Sequence, residues 1–225
     1  VVVAESQTSG RGRLRREWFS PPGLGIYLSV LLRPVLPAKE STRWTIASAL
    51  AACEACRETS GVPVVIKWPN DLCHEGRKLG GTLVELRSAG AVTREIIIGT
   101  GINVNHSMND FPPPLADRAT SLRVAGGGAQ VDRADLTAGY LARLARRADQ
   151  LDRGRWEEIR EAWKGLAPGA TGARVQVRPS SSTDRGEGYT GTTCGIDEAG
   201  ALRVETGEGR FVTVHDGERV VALES

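Results

Sequence analysis

A change in texture at residues 165–172 constrains this chain most. The segment Gly165–Gly172 is rich in Gly, Pro and Ala and reads as a linker. Downstream lie only short β-like runs, Arg174–Arg178, Tyr189–Ile196, Ala201–Glu205, Arg210–Val214 and Arg219–Leu223. The polar stretch Ser180–Gly188 and the turn Asp197–Gly200 separate them. That density of short strands predicts a small β-barrel over 171–225. Upstream, strands alternate with helix-length stretches. Gly25–Leu32 reads as a buried strand, and Pro37 sits where it can open a helix running to about Thr59, with Gly61 just beyond. Val64–Lys67, Leu79–Leu86 and Glu95–Gly99 read as further strands, and Trp68–Asp71 as a turn. Residues 106–131 read as loop with room for one short turn of helix. Asp132 caps a helix whose apolar face is Leu136, Tyr140, Leu141, Leu144, Ala148 and Leu151, and a second helix covers Arg155 to Lys164. The expectation is an α/β (α+β) unit on a mixed sheet over 1–170, followed by the β unit. The 225 residues suffice for one large and one small domain.

Charge narrows the function classes. The formal net charge is only +2, so positive charge is local and a generic nucleic-acid binder is disfavoured. No apolar run approaches the roughly 20 residues that span a bilayer, and no secretory signal is visible. The chain begins with Val inside the strand-like run Val1–Ala4, consistent with a missing upstream segment. The four cysteines fit a reduced, cytoplasmic protein. Cys53 and Cys56 form a C-x-x-C inside the first helix, but no second pair or nearby His completes a tetrahedral set, so they read as packing and no metal ligands are assigned.

Four motifs carry the chemistry. In Gly10–Arg16, four arginines and two glycines fall within seven residues. Arginine offers a fixed fork to carboxylate or phosphate, and glycine allows close backbone approach and positive φ. The alternative is a solvated charge run. Neither a Walker A loop nor a G-x-G-x-x-G fingerprint is present. Lys67–Leu72 puts Lys, Asn and Asp at a strand end; its alternative is a tight turn around a packed Trp. Gly76–Gly81 puts Arg77 and Lys78 before a glycine-softened strand; the alternative is an exposed hairpin tip. In Ile98–Asn105 a strand ends in G-x-G-x-N, where a flat ligand could lie on backbone and Asn103 could meet a base edge; the alternative is a β-bulge.

In order, these read E-x-Q-x-x-G-R-G-R-x-x-R-x-W, K-W-P-N-D-L, R-K-L-x-G-x-L-V-E and I-G-x-G-I-N-V-N. This set resembles the biotin–protein ligases, also called biotin–[acetyl-CoA-carboxylase] ligases, over essentially the whole chain. The related lipoate ligases share the fold but not this motif set. The resemblance implies a class II synthetase-like biotin/lipoate ligase catalytic domain and a C-terminal SH3-like barrel. It implies use of ATP and Mg²⁺ to convert biotin to biotinyl-5′-AMP, then transfer to one lysine of a biotin carboxyl carrier protein domain of a carboxylase. The enzyme would be a monomer or homodimer.

Residue by residue, the resemblance makes Lys78, Arg13 and Asp71 catalytic. Lys78 stands between the biotin carboxylate and the α-phosphate, and Asp71 positions or deprotonates the acceptor lysine. Gln7, Gly10, Arg11, Gly12, Lys78, Gly80, Gly81, Gly99 and Gly101 fall to biotin. Arg13, Arg16, Trp18, Asn70, Lys78 and Asn103 fall to ATP and the adenylate. The family's S-T-N segment, which precedes the first strand and lines the biotin pocket, has no counterpart here, and neither does the N-terminal helix-turn-helix of some bacterial members, so no DNA binding is expected. A lipoate or octanoate ligase and a non-catalytic nucleotide or nucleic-acid-binding module are the competing readings.

Overall fold

A computed structural model of the chain describes residues 1–33, 36–37, 41–89, 92–178, 188–207, 209–214 and 219–223. The first sheet contains β1 (Val2–Ala4), β2 (Gly25–Leu32), β3 (Leu36–Pro37), β4 (Val65–Lys67), β5 (Asp71–His74), β6 (Arg77–Ala89) and β7 (Val92–Asn103). Their order is β1-β2-β7-β6-β5-β4, with β3 also beside β7. Strand alternation makes this sheet two-faced. In β7, Ile96, Ile98, Thr100 and Ile102 are buried, while Ile97, Gly99 and Gly101 between them are half-buried. One face is core and the other stays open to hold a site.

The core face is covered by α1 (Ser41–Ser60), with α4 (Arg133–Asp152) and α5 (Trp156–Lys164) packed against α1. From Trp44 to Cys56 all but one residue of α1 is buried. Five of these are alanines, whose small side chains let α1 lie close to both the sheet and α4. Cys53 and Cys56 are among them as free thiols, and burial pushes the Cys53 thiol up to about 12 and that of Cys56 higher still. Asp132 caps α4, accepting from Ala134 N and Asp135 N at 2.7 and 3.1 Å. The short helices α2 (Pro113–Ala116) and α3 (Leu122–Ala125) lie in the stretch expected as loop.

Four expectations are corrected. The anticipated mixed sheet is antiparallel at every strand pair among the described residues, because short turns reverse the chain from β4 through β7, whereas parallel neighbours need long crossovers. Pro37 does not open α1; it lies in β3 opposite Val92, a short edge pairing that tolerates a missing N–H, and residues 38–40 lie outside those described. The strand β5 was not anticipated. Residues 165–172 are docked rather than free: Ile66 N donates to Leu166 O at 2.7 Å, and Ala167 and Ala170 are buried.

Downstream, β8 (Thr171–Arg178), β9 (Tyr189–Ile196), β10 (Leu202–Thr206), β11 (Phe211–Val214) and β12 (Arg219–Ala222) form a five-stranded antiparallel sheet. Its order is β11-β10-β9-β8-β12, and among the described residues it is not closed. The stretch Ser180–Gly188 lies outside the described residues except for Gly188. Among the described residues no helix is long and apolar enough to cross a membrane.

Candidate active site

The glycine–arginine segment folds as a small hairpin over the open sheet face. Trp18 N donates to Gly10 O at 2.9 Å, Gly12 N donates to Arg16 O at 2.8 Å, and Arg11 bridges Glu17 between them. The left-handed residue at its tip is Leu14, at φ 56°, not a glycine. Gly10 serves close approach instead: a Cβ there would stand 2.5 Å from Trp18 O and 2.8 Å from Ser20 Oγ. Gln7 is tied to the hairpin base, where Ser20 Oγ donates to its Oε1 at 2.7 Å.

The hairpin separates two adjoining cavities. The smaller, about 210 Å³, is lined by Gln7, Arg11, Gly12, Arg13, Trp18, Ser29, Asn70, Lys78, Gly81, Leu83, Gly99 and Gly101, among others. The larger, about 560 Å³, is lined by Gly12, Arg13, Arg16, Trp18, Phe19, Asn70, Asp71, Lys78, Asn103, Phe111, Leu115, Arg118 and Ala119, among others. A cleft of that size suits a small-molecule ligand. Gly12, Arg13, Trp18, Asn70 and Lys78 line both.

These shared residues are linked. Arg13 Nη1 donates to Asn70 Oδ1 at 3.0 Å, and Asn70 Nδ2 donates to Thr82 O at 2.6 Å. Lys78 Nζ donates to Asp71 Oδ1 at 2.5 Å and lies 5.5 Å from the Trp18 ring centroid. The Trp18 indole N–H is buried without a hydrogen-bond partner. Main-chain contacts fix Lys78 too: its N–H donates to Arg118 O at 2.8 Å, and Thr120 N donates back to Lys78 O at 2.9 Å. Asn103 is buried and its Nδ2 donates to Thr120 O at 3.0 Å.

The structure therefore brings together residues from all four motifs. Gly80 and Gly10 line neither cavity. Gly80 abuts the neighbouring strand, where a Cβ would meet Gly101 O at 2.9 Å. The space beside Gly101 is taken by the Trp18 indole, which a Cβ would approach to 2.3 Å. Arg77 is exposed at the first position of β6, just after the Glu75–Gly76 turn, whereas Lys78, one residue on, enters the cleft. No bulge interrupts β7 at Gly99–Asn103, which keeps continuous register with β2 and β6. Phe19, Phe111, Leu115, Arg118 and Ala119 escaped the sequence reading, because their segments carry no local motif and meet the cleft only through tertiary pairing.

His106 lies behind Phe111, fully buried, stacked on its ring at 5.1 Å, with both ring nitrogens unpartnered. Burial lowers its pKa to about 4, opposed by the nearby Asp110 charge. Between about pH 6.5 and pH 4 the unfolded chain therefore binds a proton at His106 that the folded chain does not, and stability falls as pH drops through that window, by up to about 3 kcal/mol. Thermal melts of His106→Phe should show a shallower loss of Tm from pH 7 to pH 4.5 than the parent; parallel curves would refute this.

The site is thus an open-faced antiparallel sheet with a basic hairpin over glycine-lined strands and a lysine between two cavities. A family model described as the Biotin/lipoate A/B protein ligase family matches residues 1–103. The chain is 31% identical over 214 residues to a biotin–[acetyl-CoA-carboxylase] ligase of Paracoccus denitrificans, covering 94% of this chain and 86% of that protein. It is 38% identical over 210 residues to the bifunctional ligase/repressor BirA of Bacillus subtilis (strain 168), covering 93% of this chain but spanning only 62% of that protein's length. The biotin protein ligase from Aquifex aeolicus, solved in complex with biotin and ATP, superposes with a TM-score of 0.82 at 29% identity, covering 98% of this chain and 88% of that one. The chain belongs to the biotin–protein ligase family.

Proposed function

We propose that this chain is an ATP-dependent biotin–protein ligase. It would activate biotin as biotinyl-5′-AMP with release of pyrophosphate, then transfer biotin to a lysine of a biotin carboxyl carrier protein domain. The observation that carries the reading is the position of Lys78: it lines both cavities, with Arg13 beside it, so one cation reaches a ligand in each.

In this reading biotin occupies the smaller cavity, over Gly81, Gly99 and Gly101 and against Gln7, Arg11 and Gly12. The nucleoside occupies the larger, between Trp18 and Phe111, with Asn103 offering its amide oxygen to a base edge. Arg13, Arg16, Asn70 and Lys78 face the phosphates. A biotin carboxylate oxygen forms a bond to the α-phosphorus as the bond to pyrophosphate breaks. Lys78 and Arg13 offset the repulsion between the two anions and stabilise the charge that develops. A neutral lysine amine of the carrier then attacks the mixed anhydride, and the carbon–oxygen bond to AMP breaks as the amide forms. Asp71 positions that amine and takes up its proton.

Among the described residues there is no group of three or more His, Cys, Asp or Glu placed to hold a metal, and the Asp71 carboxylate is engaged by Lys78. The residues do not build a protein cage for Mg²⁺, which would be held by nucleotide phosphates and water. We further propose that residues 1–170 form the catalytic domain and 171–225 an SH3-like barrel, and that the protein works in the cytoplasm, in keeping with its free thiols. Incubation with biotin, ATP and a purified carrier domain should add one biotin mass to one carrier lysine. A carrier that stays unmodified, or is labelled equally well by lipoate, would count against the reading.

A further inference from the structure

Trp68 lines neither cavity, yet it sits beside Asn70 and Asp71 in sequence and is buried. Its indole Nε1–H donates to Gly200 O at 3.0 Å, joining the turn that carries Asn70 and Asp71 to the turn between β9 and β10, 132 residues away. That second turn is itself pinned. Asp197 Oδ1 accepts from Ala199 N and Ala201 N, each at 2.9 Å, and Gly200 N donates to Asp197 O at 3.1 Å. Arg43 Nε of α1 donates to Glu198 O at 2.8 Å. Gly200 stands at φ +87°, and a Cβ there would meet Thr42 Cγ2 at 3.2 Å, so the turn rests directly on the start of α1. On the cleft side of the same segment, Asn70 holds Arg13 and Asp71 holds Lys78.

We infer that the Asp197–Gly200 turn is a positioning element for adenylation. Through the Gly200 carbonyl and Trp68 it sets the Asn70–Asp71 pair, and through that pair it sets Arg13 and Lys78. Trp68 and Gly200 touch no reacting atom and act only through these neighbours. Displacements of about 1 Å in a catalytic constellation cost about 10²-fold in rate, so a link of this kind acts at a distance. The inference rests on the ligase reading above.

The test is biotin-dependent ATP–pyrophosphate exchange by the full chain. Trp68→Phe keeps the ring and removes the donor. It should lower kcat about tenfold while KM for ATP and biotin stays within about twofold. In an Asp71→Asn background the same change should cost clearly less than in the parent, because one of the two groups it positions has already lost its charge while Asn70 still holds Arg13. Asp197→Ala, which loosens the turn from its own side, should reproduce the kcat loss and decides the matter alone should Trp68→Phe not fold. A Trp68→Phe enzyme within about twofold of the parent, a loss confined to KM, or an equal loss with and without Asp71 overturns the inference and leaves the ligase reading standing. Absence of exchange by the parent overturns the ligase reading instead.

Discussion

Lys78→Ala is expected to slow biotin adenylation about 10²-fold or more, the usual cost of removing a preorganised group that stabilises transition-state charge. The geometry adds a second penalty. Lys78 Nζ now neutralises Asp71 at 2.5 Å, and without it that carboxylate faces the cleft proposed to receive biotin's carboxylate and the phosphates. Stability should hardly change, since both side chains are about a third exposed and a pair of that kind contributes about 1 kcal/mol or less. Pyrophosphate exchange together with a thermal melt separates the two effects. A variant with unchanged exchange would remove Lys78 from its assigned role. A variant that has lost exchange together with its fold would show the site to depend on that pair for structure.

Gly101→Ala is expected to weaken binding of both biotin and ATP by about tenfold or more. A Cβ at 101 would lie 2.3 Å from Trp18 Nε1 and 2.5 Å from Cε2. The strand cannot yield, because Gly101 is paired on both sides, with Tyr27 of β2 and Gly81 of β6. The indole must move, and it lines both cavities. Overpacking of this kind costs about 1–3 kcal/mol, enough for the stated loss. Gly99→Ala is the comparison: its Cβ would meet only Leu83, at 3.8 Å, in the smaller cavity. Calorimetry should therefore find biotin affinity reduced and ATP affinity unchanged for Gly99→Ala, but both reduced for Gly101→Ala. Equal ATP affinity in the two variants would contradict the place given to Trp18.

Much of the fold could be read from local pattern. The run Gly25–Leu32 is a strand with those bounds, Tyr189–Ile196 likewise, and Asp132 caps the long helix, because side-chain periodicity and cap chemistry act over a few residues. The helix face was only partly legible. Leu136, Tyr140, Leu144 and Leu151 are buried as their spacing predicts, yet Arg147 and Gln150 are buried beside them. Arg147 pairs with Glu54 of α1, a partner that no pattern within α4 announces. The site divided in the same way. The motif order brought Arg13, Asn70, Asp71, Lys78 and Asn103 into one cleft. The main-chain clamp of Arg118 and Thr120 on Lys78, and the wall of Phe111, Leu115 and Ala119, depend on a tertiary pairing that leaves no local trace. The glycines show the limit well. Gly10 and Gly12 suggest both close backbone approach and positive φ; Gly10 serves close packing within the hairpin, while the positive φ falls on Leu14.

In the proposed function one cleft binds biotin and ATP and joins them through Lys78. Biotin-dependent exchange of labelled pyrophosphate into ATP by the purified chain measures that step alone, without a carrier protein. Exchange should require biotin, should not be supported by lipoate, and should fall about 10²-fold or more in Lys78→Ala. A folded chain that shows no exchange with biotin, or exchanges equally with lipoate, would contradict that function.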